Sequence, residues 1–268
     1  MFLTVIMPAL NEEKNIYAAV SSTIDALNRA RIIAEILVVN DGSTDKTPEI
    51  ISALVEKYQN VRTINHEKPM GIGYSFFDGV KNAAGDTVVM FPGDNENDPD
   101  DALRFLSLLE QVDIIVPFVF NVEVRNIPRR FLSTLFRTII NISFGTNLNY
   151  TNGTVFYRKE ILKDLTLTSK GFFYQAETLI RLIRRGYLFA EVPVFLSQRA
   201  SGKSKAVTLR SFLKVLGNYI QLVWSIHIRR TERFHHHQPI IPQSITAVLR
   251  KKQTEAVSTL HVCQKNKI

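Results

Sequence analysis

Between residues 88 and 101 the chain reads VVMFPGDNENDPDD. An apolar run stops at Phe91, and Asp94, Glu96, Asp98, Asp100 and Asp101 follow at once, although the chain as a whole carries a formal net charge of +8. Carboxylates gathered at the end of a buried strand are hard oxygen ligands. They suit Mg2+ or Mn2+, with substrate phosphates completing the shell. Asp94 and Glu96 are two apart, so in extended backbone they could not face the same ion. A turn at Gly93 would bring them together. Asp98, Asp100 and Asp101 border the next helical segment, where carboxylates favour the helix amino end, and capping is their simplest role.

Two earlier strands end in the same way. LTVIMPA runs into Pro8, Asn11 and Glu12, and AEILVVND into Asn40 and Asp41. In an open parallel sheet the ligand crevice lies outside the carboxyl ends of the strands. Three polar strand ends in succession therefore point to a cleft, with Asp41 placed at a loop tip to accept hydrogen bonds from a base or ribose. Asn11 is also suited to cap the helix that follows, with Glu12 and Glu13 in its first turn. No Gly-x-Gly-x-x-Gly follows the first strand and no Walker lysine loop occurs, so the common dinucleotide and P-loop sites are excluded.

The elements that must position these groups alternate as β-α-β-α through residue 120. Further strands are VRTINH, DTVVMF and DIIVPF, and the segment IGYSFFDGVKNAAG is a helix ended by Gly85. That alternation predicts a mostly parallel sheet flanked by helices. With 268 residues, 45 % hydrophobic and 22 % charged, the chain has room for one large α/β domain or two small ones. After residue 120 come a basic amphipathic helix, PRRFLSTLFRTIINISF, and a second helix, AETLIRLIRRG. The division expected is a catalytic domain over 1–206, split at 120 into a nucleotide half and an acceptor half. An amphipathic helix follows over 207–228, and a basic, flexible tail over 229–268 in which SITAVLRKKQTEAV can form a short helix. His235–His237 fall in that tail and read as solvated. The single cysteine, Cys263, cannot form an internal disulfide, which suits a reducing compartment.

Taken in order, these segments resemble the family 2 inverting glycosyltransferases of GT-A fold, in particular the polyprenyl-phosphate branch typified by dolichol-phosphate mannosyltransferase. VIMPALNEEKNI is similar to that family's opening motif, EILVVNDGSTDKT to its nucleotide loop, and GIGYSFFDGVKNAAGD to its glycine-rich helix. FPGDNENDP occupies the place of the Asp-x-Asp metal motif, and NYTNGTVFYRKEIL, GFFYQAETLIRLIRRGYLFAEVPV and RASGKSK match later segments. The resemblance spans about residues 3–228. It implies a Rossmann-like GT-A domain of hexosyltransferase type that moves a sugar, with inversion, from a nucleotide-diphosphate donor. Asp41 would contact the nucleotide and Asp94 the metal ion. Arg199, Ser204 and Lys205 would hold phosphate, and Arg129 and Arg130 would lie near the acceptor. Two positions depart from the pattern. Pro92 replaces the first aspartate of Asp-x-Asp, so ligation rests on Asp94 helped by Glu96, and Asn149 replaces an aspartate before TNG.

The acceptor stays open between two classes. A polyprenyl phosphate is already ionised and needs positive charge rather than a strong base. A hydroxyl on a glycan or lipid needs a base, for which Glu177 is the candidate. Its other role is an i, i+4 partner of Arg181. From another class, a non-catalytic nucleotide-sugar binding protein fits the cleft. Nucleic acid is excluded as a partner, since no reading motif occurs and the carboxylates would repel its phosphates. The segment LRSFLKVLGNYIQLVWSIHIRR has a broad apolar face, from Leu209 through Trp224, and a narrow polar one. Its charge-free interval is shorter than the roughly 18 residues a span needs. A helix of this kind lies on a membrane surface or packs in the protein's core or a homo-oligomer interface. The membrane reading places the protein in the cytoplasm, peripheral at the inner face of the membrane.

Overall fold

The computed structural model describes residues 1–124, 127–151, 153–165, 168–195, 209–229 and 241–265, with backbone alone at 124, 128, 129, 209–212 and 256–265. The first half of the chain begins with β1 (Leu3–Ala9), α1 (Ile16–Arg29), β2 (Ala34–Asn40), α2 (Thr47–Lys57), β3 (Val61–Asn65), α3 (Ile72–Asn82) and β4 (Thr87–Met90). A short α4 (Pro99–Leu103), a 3-10 turn (Leu106–Glu110) and β5 (Ile114–Val119) complete it. Then come α5 (Ile127–Phe144), β6 (Phe156–Arg158), α6 (Tyr174–Arg184), β7 (Phe189–Val194), α7 (Leu209–Val223), whose last residues pass into a π turn (Trp224–Ile228), and α8 (Ile245–Lys265).

Among the described residues, seven strands form one sheet in the order β3-β2-β1-β4-β6-β5-β7. β3, β2, β1 and β4 are parallel neighbours, β5 and β7 pair in parallel, and β6 alone runs antiparallel, between β4 and β5. All seven residues of β1 are buried, as expected of a strand covered by helices on both faces. One apolar cluster packs α1 and α2 against one side of the sheet, and a second packs α3 and α6 against the other.

A third, smaller core lies between α5, α6 and α7, around Ile140, Phe144, Ala176, Ile180, Leu222 and Ile226. It sorts α7 into two apolar stripes. Val215, Tyr219, Leu222 and Ile226 turn inward, and Asn218 goes with them, donating to Ser169 Oγ at 3.0 Å. Leu213, Leu216, Ile220, Trp224 and Ile228 remain exposed. α5 repeats this arrangement, with Phe131, Leu132, Leu135, Ile139 and Ile142 outward. Among the described residues no helix is long and apolar enough to cross a membrane.

Two local expectations change. The helix expected after Pro99 breaks after Leu103 into the 3-10 turn. α3 stops at Asn82, before Gly85, whose place is set instead by close approach to β1: a Cβ there would lie 2.5 Å from the Phe2 carbonyl. The carboxyl-terminal segment carries α8, anchored at the sheet end opposite the crevice. The fully buried Asp113, just before β5, accepts from the backbone N–H of Ile245 (2.8 Å) and of Thr246 (3.0 Å) and from the Thr246 hydroxyl. Thr246 Oγ1 in turn accepts from Leu188 N at 2.7 Å. Residues 230–240, including His235–His237, lie outside the described residues.

Candidate active site

The carboxyl ends of β1 and β2 carry loops fastened to each other. Asn11 has φ 55°, a left-handed conformation that asparagine tolerates better than most residues. Its side chain accepts from Thr44 N at 2.8 Å, and its own N–H donates to Ser43 Oγ at 3.0 Å. Glu12 N donates to Thr47 Oγ1 at 2.8 Å, and Glu13 Oε2 accepts from Lys46 N at 3.1 Å. Asn11 therefore does not cap α1, which begins only at Ile16 behind Asn15; it braces the β2–α2 loop. Pro8 is buried at the end of β1.

Asn40 and Asp41 are both buried. Asn40 Oδ1 accepts from Ser43 N (3.1 Å) and its amide donates to Asn65 Oδ1 (3.0 Å). Asp41 accepts from Met70 N and Gly71 N, both at 2.9 Å, and its Oδ1 lies 2.8 Å from His66 Nδ1. Burial pushes the Asp41 carboxyl up, but the hydrogen bonds from His66, Met70 and Gly71 outweigh it and hold the group below the usual aspartate range. Asp41 thus ties the β2–α2 loop to the chain that enters α3. Sequence reasoning missed His66. Its signal was present, since β3 also ends in polar residues, Asn65 and His66, as β1, β2 and β4 do.

The carboxylate-bearing loop follows β4. Gly93 continues the ladder, donating to Pro8 O at 3.0 Å, and a Cβ there would meet Ile16 at 2.9 Å. The reversal expected at Gly93 occurs two residues later, at Asn95, with φ 58°. It brings Glu96 N to 3.2 Å from Asp94 Oδ1, so the two carboxylate residues flank one tight turn. Such a pair fits Mg2+ or Mn2+. Magnesium is usually held by one or two carboxylates with phosphates and water completing the shell, and among the described residues no cluster of three or more potential ligand side chains occurs. Asp98 caps α4, accepting from Asp100 N and Asp101 N at 3.0 and 3.3 Å. Asp100 pairs with Arg29, and Asp101 accepts from Phe195 N at 2.6 Å.

Beside this loop a cavity of about 120 Å³ opens at the ends of β4, β5 and β7. Glu96, Asn97 and Asp98 form one wall, and Pro117, Tyr150 and Phe195 another. Asn97 is braced by Thr154 at 3.1 Å, and Gln175 of α6 donates to the Gly153 carbonyl beneath. Asn149, adjoining Tyr150, donates through its backbone N–H and its amide to the two oxygens of Glu191, at 2.7 and 2.8 Å. An aspartate here would set two carboxylates against each other, so the asparagine is matched to Glu191.

Of the two roles open to Glu177, the structure forms the ion pair. It is 0 % exposed, with Arg181 Nε and Nη2 both 3.0 Å away. It also receives the N–H and hydroxyl of Thr168 and the N–H of Ser169 at 3.0–3.3 Å. The pair is buried rather than on the surface. Arg130 is exposed at the start of α5. The side chain of Arg129, together with Arg199, Ser204 and Lys205, lies outside the described residues.

Residues 4–166, more than half the chain, match the family model described as glycosyl transferase family 2. The chain is 25 % identical over 253 residues to a dolichyl-phosphate beta-glucosyltransferase of Trichomonas vaginalis, covering 86 % of this chain and 77 % of that one. It is 28 % identical over 214 residues to a polyprenol monophosphomannose synthase of Mycolicibacterium smegmatis, covering 75 % and 79 %. Among solved structures it is similar to glucosyl-3-phosphoglycerate synthase of Mycobacterium tuberculosis in complex with Mg2+ and uridine diphosphate. The TM-score is 0.62 at 19 % identity, over 83 % of this chain and 79 % of that one; the likeness is one of fold.

Proposed function

Since the chain belongs to glycosyl transferase family 2 and is a glycosyltransferase of GT-A fold, we propose that it transfers a sugar, with inversion, from a nucleoside-diphosphate donor to a polyprenyl phosphate at a membrane surface. The observation that carries the acceptor class is the pair of exposed apolar stripes on α5 and α7. Exposed apolar surface of this extent marks an interaction site. Arg130, Lys214 and Arg229 are exposed on the same two helices and the turn that ends α7, which suits anionic headgroups. The names of the two relatives, a dolichyl-phosphate and a polyprenol-phosphate enzyme, support the same class.

In this reading the nucleotide lies over the fastened loops of β1 and β2, near Pro8, Asn11, Glu12, Asn40 and Asp41. Asp94 and Glu96 would hold Mg2+ or Mn2+, which when bound would supply positive charge to offset that on the departing diphosphate. The transferred sugar has the adjoining cavity, where Tyr150 offers an aromatic face and Asn97 polar groups. An ionised phosphate attacks without deprotonation, so the burial of Glu177 costs this reaction nothing, whereas a hydroxyl acceptor would lack its base.

The test supplies uridine- and guanosine-diphosphate sugars with Mn2+ to the purified protein, together with vesicles containing polyprenyl phosphate. Label extracted into organic solvent only when the lipid phosphate is present supports the reading. Transfer to soluble sugars alone overturns the acceptor class. Replacing Ile220 and Trp224 with serine should release the protein from anionic vesicles at low salt; unchanged sedimentation would remove α7 from the membrane.

A further inference from the structure

His66 stands between two carboxylates. Its Nδ1 is 2.8 Å from Asp41 Oδ1 and its Nε2 is 3.1 Å from Asp78 Oδ2 on α3. The imidazole side chain is 9 % exposed, against 6 % for Asp41 and 26 % for Asp78. The Tyr74 ring meets it edge-on at 5.3 Å, and the Lys170 ammonium lies over the Tyr74 ring, 5.7 Å from its centroid. A neutral imidazole has one N–H to donate, so it can satisfy one of the two carboxylates and turns a lone pair toward the other. Only the imidazolium satisfies both.

The groups it joins come from separate elements, the β2–α2 loop and α3. Asp41 belongs to the β2–α2 loop and also receives the N–H of Met70 and of Gly71. Gly71, at φ +99°, is the residue on which α3 starts, and a Cβ there would lie 2.7 Å from the Lys170 carbonyl. We propose that His66 is a positioning residue for donor binding: as an imidazolium clamped by Asp41 and Asp78, it locks the β2–α2 and β3–α3 loops in the arrangement that receives the nucleotide, and loss of its second proton releases that lock. The inference rests on the nucleotide site proposed above.

The sign of the pH dependence follows from the surroundings. Burial drives the His66 pKa down, but hydrogen bonds to Asp41 and then Asp78 overcome it and raise the pKa above the ordinary histidine value. The clamp is complete at and below that ordinary value and fails as pH rises through the raised one. Asp41 is held below its usual range and stays ionised throughout this window.

The test is calorimetric binding of uridine diphosphate and guanosine diphosphate, with Mg2+, from about pH 5.5 to about pH 9. The wild type is compared with His66→Gln, which keeps one neutral donor at every pH. Dividing one set of affinities by the other cancels titration of the nucleotide's own phosphate. The wild type should bind roughly tenfold more tightly at the acid end, and the advantage should vanish at the alkaline end. Proton and nitrogen resonances of the His66 ring, read in the wild type alone, should show both nitrogens protonated and should titrate with the same midpoint. That readout stands even where His66→Gln fails to fold. Nucleotide binding with a flat ratio, or a ring that is neutral at the acid end, overturns the inference alone. Absence of nucleotide binding to the wild type at any pH overturns the nucleotide site and the inference with it.

Discussion

Replacing Glu177 with glutamine separates a structural carboxylate from a catalytic one. In the structure Glu177 and Arg181 are 0 % and 5 % exposed in their side chains, so solvent screens the pair little. Breaking a buried ion pair by removing one charge costs about 3–5 kcal/mol. Glutamine keeps a carbonyl oxygen that can still accept from Thr168 or Ser169, which places E177Q near the lower end, about 3 kcal/mol. For a domain of this size that is a fall in Tm of roughly 6–12 °C. The assay is thermal unfolding alongside turnover per folded molecule, measured well below either midpoint. E177Q should lose stability and keep turnover within about twofold of the wild type. R181Q should lose a comparable amount, and the double variant less than the two combined, because both remove one interaction. Unchanged stability with turnover lowered about 100-fold or more, the size of a lost general base, would refute the argument and return Glu177 to the chemistry.

Asp94→Asn should abolish transfer and the metal-dependent stabilisation by nucleotide while leaving the melting curve without ligand unchanged; turnover near the wild-type value would remove Asp94 from the metal loop. Asn149→Asp should cost about 1 kcal/mol by turning a donor into a charge facing Glu191, and the added change Glu191→Gln should restore the loss, as read by chemical unfolding. Asp113→Ala should cost about 2–4 kcal/mol by leaving the amides of Ile245 and Thr246 without their acceptor, and hydrogen exchange over 245–250 should accelerate selectively. Exchange there at the wild-type rate would mean that α8 is held by other contacts.

The parallel half of the sheet was legible because its strands are buried on both faces, and such strands appear in sequence as unbroken apolar runs closed by polar residues. LTVIMPA, AEILVVN and DTVVM are of this kind, and their ends located the candidate cleft. Antiparallel β6 has only three residues, too few for alternation to show. Asn11 misled because a cap and a brace look alike in sequence; the distinguishing fact is Thr44 N, 33 positions away. Glu177 and Arg181 have the spacing of a surface pair, and periodicity cannot say that both turn inward. α7 is apolar on nearly all sides, so its pattern could not apportion residues between the protein and the outside. The structure assigns Leu222 and Ile226 to the former and Leu216 and Ile220 to the latter. His66 stayed hidden because its meaning depends on Asp41 and Asp78, which only the folded loops bring to its two nitrogens.

The anchor of α8 has a temporal side. Asp113 meets Ile245 and Thr246 across sequence separations of 132 and 133 residues. On the ribosome the strand that follows Asp113 is made long before its partners emerge. Until they arrive, this carboxylate must either remain hydrated or be buried without two of its donors, and the second course is costly. Burying the end of β5 at which α8 docks before residue 246 has left the exit tunnel would therefore leave the Asp113 carboxylate short of those two donors. Chains stopped before that point would leave the Asp113 carboxylate without its Ile245 and Thr246 donors, a mark of the unfinished protein at the end of β5.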